Sequence, residues 1–456
     1  MTDTRLDSCE QILFEQIYAL YGRASVTDSA NDDKPLASQL PVNERLLSLN
    51  ARSDNGDPSF IQLIPRILTW TDDGAFLDFI STLDRRSCEL QLDRVLDEIL
   101  RVDPAISAAI RSSLEELPAW GVVRFAAAPA TRWRLAHWQS DPVRHVAALC
   151  QFLKAELRLA GKTIPGRGLW TALGDYFVTD TLGDFCDPRT PTLPVEANIR
   201  APRVSGIIPV DAIGPNRLDI GTANVGLEPH TAGTFADVFK ELSIAAAMIR
   251  RVAGGAIRLI ERCTRVIVIA RATIGGLGSS SHFMLPGQVL IRTPNQWVRS
   301  PAAEAEVASV LVHEAIHQML YVLEFGERFV NTKAIPPQAG IASPWTGRRL
   351  AIHSYVHACF VWYGLVRFWR IALGCTDIPH DQPEMQLAKA LKGFSTGNPA
   401  DKLMPYRGAI GTDALETVAS LWDELRASGE LGRDLKPTRD SLVSALTTIT
   451  PEPTAV

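Results

Sequence analysis

Two histidines four residues apart, with a glutamate directly after the first, form the most chemically suggestive pattern in the chain. His313, Glu314 and His317 spell H-E-x-x-H within a segment, 300–326, that begins with Ser-Pro and ends at a glycine. This segment predicts one helix, since serine caps helices, proline suits the first helical position and glycine ends them. On a helix both imidazoles project from one face, so they can hold a single divalent metal ion. The alternative is two satisfied histidines on a packed helix.

A second pair of histidines repeats this spacing downstream. His353 and His357 lie in an apolar, aromatic segment, 349–374, that also predicts a helix. Two antiparallel helices that each carry such a pair could face each other across one ion. We predict His357 as the third ligand, because it lies deeper in the helix and is followed by Ala358 and Cys359, small residues that let the first helix approach. His353 lies about one turn from the helix start, where an ordinary polar role is the alternative.

The residue types leave the chemistry of this ion open. In zinc peptidases the motif supplies two ligands, and its glutamate, here Glu314, acts as general base on a metal-bound water. The longer astacin-like motif is absent, because QMLYVL follows His317. Glu324 and Glu327 lie so close along the same helix that we do not expect either to fold back as a third ligand. An oxygenase, a zinc hydrolase and a structural metal site without catalysis are therefore the three alternatives.

The elements that position these residues predict a predominantly α protein with a smaller β component, an α+β fold. Residues 1–200 are expected to be mostly helical, for instance at 9–23 and 143–160. Substrate recognition is a candidate role for this helical N-terminal region. Residues 201–456 would form the metal-binding catalytic region, with the H-E-x-x-H helix and the C-terminal helices.

Two short apolar runs precede the H-E-x-x-H helix. Residues 265–270 (RVIVIA) and 288–292 (QVLIR) predict strands, and the loop between them is rich in glycine. A phosphate-binding loop should open a helix, whereas this one leads back into a strand. A flexible connection is therefore the favoured interpretation of the loop.

Composition excludes several functional classes. The 456 residues carry a net charge of −5, which provides no basic field for nucleic acid. Seven scattered cysteines without a C-x-x-C pair predict neither a disulfide framework nor a thiolate metal site. The acidic N-terminal stretch is unlike a signal peptide, and no apolar run is long enough to span a bilayer. These features predict a cytoplasmic protein without nucleic-acid or membrane partners.

One stretch of the chain resembles a known family. The segment SPWTGRRLAIHSYVHACFVWYGLVRFW (343–369), with LVHEAIHQML and the upstream LPGQVLI, is similar to the H-E-x-x-H proteins of peptide-modifying gene clusters. Ser343, Pro344, Trp345, His353 and His357 match the family pattern. The family is described as 2-oxoglutarate-dependent peptide β-hydroxylases, and the likeness covers roughly residues 265–370.

The resemblance implies a specific chemistry. It implies Fe(II) held by His313, His317 and His357, with 2-oxoglutarate as co-substrate, O₂ as oxidant and a ribosomally made precursor peptide as substrate; Zn is the alternative metal. Bidentate 2-oxoglutarate would balance the charge that three neutral histidines leave on the ion. Glu314 would then act behind the ligands or in proton handling.

The basic pair near the motif is the candidate for co-substrate binding. Thr346 follows Trp345 where the family usually has arginine, and the basic pair Arg348-Arg349 is displaced from the usual positions. An arginine suits the distal carboxylate of 2-oxoglutarate as a two-pronged partner, so we predict that at least one of them holds it. His353 is left for a contact behind the ligands or with the co-substrate.

Overall fold

The protein is described by a computed structural model over residues 60–71, 74–180, 182–189, 197–211, 214–217, 227–228, 230–272, 276–294 and 300–432. The helix predicted at 9–23 lies outside these residues. Helix accounts for 60% of the structure and strand for 11%, in small mixed sheets. The protein is therefore predominantly α with a smaller β component, and the predicted α+β fold is confirmed.

The described helices and strands follow one another along the chain with the strands concentrated in the middle. The α-helices are α1 (Phe60–Ile67), α2 (Gly74–Val102), α3 (Pro104–Glu115), α4 (Ala119–Ala127), α5 (Pro129–His137), α6 (Pro142–Leu159), α7 (Ala232–Val252), α8 (Gly254–Cys263), α9 (Pro301–Leu323), α10 (Ile352–Ala372), α11 (Asp381–Leu391), α12 (Pro399–Leu403) and α13 (Thr412–Ala427). The strands are β1 (Leu169–Trp170), β2 (Tyr176–Val178), β3 (Phe185–Cys186), β4 (Asn198–Arg200), β5 (Arg203–Val204), β6 (Ile208–Asp211), β7 (Leu227–Glu228), β8 (Val266–Ala272), β9 (Gly278–Ser280), β10 (Gln288–Thr293), β11 (Ile341–Ala342) and β12 (Arg349–Leu350).

The described chain divides into two compact units. The first takes in 79–240 and 261–297, and the second takes in 60–78, 241–260 and 298–432. Strand β4, which ends at Arg200, and strand β5, which follows it, both belong to the first unit, so this division does not fall there. The functional division that the sequence predicts at residue 200 stays a prediction.

Helix α6 in the first unit shows how local sequence sets an element. The Asp141 carboxylate accepts the backbone N–H of Arg144 at 3.1 Å, and Pro142 occupies the first helical position. Gly161 follows the helix with φ of 85°, a conformation that costs glycine little. The helix predicted over 143–160 is therefore confirmed, and its apolar face joins the core of the helical part of this unit.

The two predicted strands before the H-E-x-x-H helix are also confirmed. They are β8 and β10, which pair in parallel with Val266 opposite Gln288. The larger sheet has the order β5-β6-β8-β10-β9, with β7 paired to β8, while β1, β2, β4 and β3 form a second sheet. The glycine-rich loop contains β9, an antiparallel partner of β10 that we did not predict. It therefore forms part of the sheet rather than a simple connection.

The second unit contains the two histidine helices. The Ser300 hydroxyl accepts the N–H of Ala303 at 3.1 Å, which confirms the predicted cap of α9. This helix ends at Leu323, three residues before the predicted glycine. Helix α10 starts at Ile352 rather than at residue 349, because Arg349 and Leu350 pair with β11 as strand β12.

Helix α10 forms the core of the second unit. It packs against α1, α9, α11 and α13, which explains why its sequence is apolar on almost every face. Gly364 leaves room for α9, since a Cβ there would lie 2.6 Å from Cδ1 of Ile316. The Trp70 indole donates to the Gly364 carbonyl at 2.9 Å. Ile316 directly precedes His317, so this contact lies beside the first histidine pair.

Candidate metal centre

Helix α9 presents the first histidine pair. The rings of His313 and His317 lie on one face with centroids 4.9 Å apart, and both are partly exposed. Glu314, between them in sequence, is buried. The i, i+4 geometry expected of the H-E-x-x-H motif is present.

Helix α10 presents the second pair. The rings of His353 and His357 have centroids 4.3 Å apart. His357 is 1% exposed, whereas His353 lies nearer the surface. The greater depth that we predicted for His357 is therefore observed.

The two pairs meet at His357. Nδ1 of His357 lies 3.4 Å from Nδ1 of His317, and their rings stack at a centroid distance of 5.6 Å. Metal–nitrogen bonds of about 2.1 Å place two ligands of one ion about 3 Å apart, or slightly more in a tetrahedral site. The two ring nitrogens therefore face each other at a separation that one ion can bridge.

Glu324 adds a carboxylate that sequence reasoning set aside. It is the residue at the C-terminal end of α9, and its Oε2 lies 2.7 Å from Nε2 of His353 and 3.1 Å from Nε2 of His357. In the part of the chain that the structure describes, the donor atoms of Glu324, His353 and His357 form a group within 4.8 Å of one another that could hold a metal ion. Among the described residues, the predicted set of His313, His317 and His357 does not form such a group. The two sets share only His357.

Burial and charge set the protonation states in the cluster. Burial lowers the pKa of His313 to about 4, with a further contribution from Lys389, and it lowers the pKa of His317 well below the usual range. Burial also lowers the pKa of His357, although the Glu324 carboxylate opposes this effect. Burial alone would raise the pKa of Glu324, but the two histidines beside it outweigh burial and hold that pKa far below its usual range. Neutral imidazoles beside an ionised carboxylate are the forms that bind metal.

Aromatic side chains surround the histidines. Tyr321 stacks on His317 at 5.9 Å and approaches His357 at 5.2 Å, and Phe329 lies 5.9 Å from His357. The ring of Trp362 meets that of His313 at 83°, edge to face. This apolar wall limits water around the ring of His357 while the other side chains of the cluster reach the surface.

The Ser-Pro-Trp motif packs next to this wall. The indole N–H of Trp345 donates to the Ala390 carbonyl at 2.9 Å, and its ring stacks on Trp362 at 5.9 Å and 6°. Ser343 closes the turn that follows, since its hydroxyl accepts the N–H of Thr346 at 3.3 Å. The motif therefore supports the helix that carries His353 and His357.

The structure does not bring the basic pair to the histidines. Arg348 and Arg349 are exposed, and the guanidinium of Arg349 donates to the Gln338 carbonyl at 3.2 Å. In the described chain, no hydrogen bond joins either guanidinium to the four histidines or Glu324. Their assignment to 2-oxoglutarate stays a prediction.

Comparison with known proteins found no matching family model and no matching curated protein. Among the described residues, the helices are too short or too polar to cross a lipid bilayer. The interpretation of the site therefore depends on its residues and their geometry.

Proposed function

We propose that the chain is an Fe(II)- and 2-oxoglutarate-dependent oxygenase that hydroxylates a side-chain β-carbon of a ribosomally made peptide. The observation that carries the proposal is the meeting of the two histidine pairs, with His317 and His357 facing each other 3.4 Å apart through their Nδ1 atoms. The motif resemblance around Trp345 selects this reaction from those that the motif allows.

The donor chemistry fits iron. Imidazole and carboxylate are ligands that Fe(II) accepts, and sites of this type leave positions open for the co-substrate. The proposed ligands are His313, His317 and His357, with Glu324 directly behind His357. The bound Fe(II) would supply the oxidation of 2-oxoglutarate by O₂ that makes hydroxylation of an unactivated carbon possible.

The side chains around the histidines would bind and orient the reactants and would exclude water. The rings of Tyr321 and Phe329 cover His357 on its apolar side. The partly exposed side chains of His313 and His317 leave an approach for the co-substrate and the peptide. Glu314 is buried beside the first ligand and would hold a proton or orient that ligand.

A zinc hydrolase is the second candidate. The specific observation in its favour is Glu314, which follows the first motif histidine as the general base of zinc peptidases does. A hydrolase would need Zn²⁺ and would cleave peptides without consuming 2-oxoglutarate. A structural metal site would retain its ion and turn over neither substrate.

The decisive experiment is reconstitution of the full chain with Fe(II) under anaerobic conditions. After O₂ and 2-oxoglutarate are added with candidate peptides, we expect succinate and a peptide heavier by one oxygen. The matched control is His317→Ala, which should form neither product. Peptide cleavage with Zn²⁺, and no succinate under any condition, would exclude the oxygenase.

A further inference from the structure

The carboxylate of Glu324 has no role in the proposed ligand set, yet it makes the shortest contacts of the cluster. Its Oε2 lies 2.7 Å from Nε2 of His353 and 3.1 Å from Nε2 of His357. One carboxylate oxygen can accept two hydrogen bonds, and a neutral imidazole donates only from the nitrogen that carries its proton. Both Nε2 atoms therefore carry protons if both bonds are made.

This arrangement fixes the tautomer of His357. With the proton on Nε2, the lone pair lies on Nδ1, which is the atom that faces Nδ1 of His317. Histidines that bind metals usually donate their other N–H to a carboxylate or carbonyl, and this bond orients the ring and makes it a stronger ligand. We propose that Glu324 is the positioning residue that holds His357 ready to bind the ion through Nδ1.

His353 completes the arrangement without binding the ion. Its Nε2–H shares the Glu324 oxygen, and its ring lies 4.3 Å from that of His357. Since the side chain of Glu324 is only 13% exposed, hydrogen bonds to two imidazoles replace most of the water that an ionised carboxylate needs. His353 thus holds the carboxylate in place.

The rival arrangement places the ion on the opposite side of the His357 ring. There Glu324, His353 and His357 would themselves be the ligands, a two-histidine, one-carboxylate set. The two arrangements use different nitrogens of His357: Nδ1 if Glu324 is a positioning residue, and Nε2 if it is a ligand. We favour the first because Nδ1 of His357 faces Nδ1 of His317 at 3.4 Å, so the ion on that side of the ring also binds the H-E-x-x-H helix.

The inference rests on the proposed metal site but not on the oxygenase reaction, so Zn²⁺ can serve as the probe. We would measure Zn²⁺ stoichiometry and affinity by competition with a chelator for the wild type, Glu324→Leu and Glu324→Gln. All three should bind one equivalent. The dissociation constant should rise about 10- to 100-fold in Glu324→Leu, and less in Glu324→Gln, whose amide oxygen still accepts a hydrogen bond. Glu327→Gln, three residues along, is the matched control and should bind as the wild type does.

The readout specific to positioning is the tautomer of His357. In protein labelled with ¹⁵N-histidine and loaded with Zn²⁺, the His357 signals can be assigned by their loss in His357→Gln. We expect a proton on Nε2 and the metal on Nδ1 in the wild type, and a mixture of tautomers in metal-free Glu324→Leu. Far-UV circular dichroism identifies any variant that has lost its fold, in which case Glu324→Gln carries the test.

Three results would overturn the inference. The first is metal bound through Nε2 of His357, together with no Zn²⁺ in either Glu324 variant and one equivalent of Zn²⁺ in His317→Ala. This result would show that Glu324 is a ligand. Wild-type affinity and an unchanged tautomer in Glu324→Leu would remove any positioning role. A wild-type protein that binds no Zn²⁺ would refute the inference and the proposed metal site together, whereas a failed succinate assay alone would refute only the reaction.

Discussion

Substitution of Gly364 by alanine tests whether the crossing of α9 and α10 sets the metal centre. The added Cβ would lie 2.6 Å from Cδ1 of Ile316 and 3.1 Å from Cδ2 of Leu68. Ile316 directly precedes His317, so any shift of α9 that relieves the clash also moves a proposed ligand. The distance at stake is the 3.4 Å between Nδ1 of His317 and Nδ1 of His357.

Two opposing effects determine the magnitude. Replacing glycine by alanine inside a helix should stabilise the folded state by about 1 kcal/mol, whereas overpacking a filled core costs about 1–3 kcal/mol. The net loss in the free energy of unfolding is therefore about 0–2 kcal/mol. The lower half of this range is favoured, because Cδ1 is the flexible end of the Ile316 side chain. Strain that metal binding must overcome lowers affinity about tenfold for each 1.4 kcal/mol.

Urea unfolding of the metal-free protein and Zn²⁺ competition measure the two quantities. The double variant Gly364→Ala, Ile316→Val removes the clashing Cδ1 and should recover affinity that Gly364→Ala loses, which a double-mutant cycle would quantify. Ile316→Val alone is the control for the lost methyl group. A Gly364→Ala protein that is about 1 kcal/mol more stable and binds Zn²⁺ as the wild type does would refute the reasoning.

The remaining predictions concern the ligands, the co-substrate and pH. Metal content should fall sharply in His357→Ala and much less in His353→Ala, measured by elemental analysis; the reverse order would exclude His357 as the ligand. Alanine at both Arg348 and Arg349 should raise the KM for 2-oxoglutarate in the succinate assay, and an unchanged KM would mean that another cation holds the distal carboxylate. Burial raises the pKa of Glu156 to about 7 despite its bonds to Arg124, so its contribution to stability is present below pH 4.5 and is lost as pH rises through 7. In urea unfolding, Glu156→Gln should remove up to about 3 kcal/mol of this pH-dependent loss in the free energy of unfolding. If that free energy changed equally with pH in both proteins, the assignment would be wrong.

Much of the fold followed from local patterns. The cap at Ser300, the apolar runs of β8 and β10 and the boundaries of α6 depend on residues adjacent in sequence, and all were predicted. The i, i+4 spacing likewise placed each histidine pair on one helical face. Sheet order could not be predicted in this way, because the pairing of β8 with both β6 and β10 depends on distant segments.

The position of Glu324 shows where sequence reasoning failed. Glu324 follows His317 by seven residues, so helical spacing already places it on the face of α9 that carries both motif histidines. Its backbone stays in the helical region, and its carboxylate reaches both His353 and His357. The sequence alone could not show this contact, because it joins residues 29 and 33 positions apart. The usable signal was the seven-residue spacing between His317 and a carboxylate.

The Ser-Pro-Trp motif illustrates how a motif can contribute to a site that it does not enter. Trp345 is tied to α11 through the Ala390 carbonyl and stacks on Trp362, which in turn meets His313 edge to face. Gly393 has its Cα against the Trp345 ring, where a Cβ would overlap the indole, so the ring has little freedom to move. Trp345 therefore limits the orientation of His313, a proposed ligand, through the ring of Trp362 between them. In the proposed reaction, the motif would therefore act through the geometry of the histidines and not through a co-substrate contact of its own.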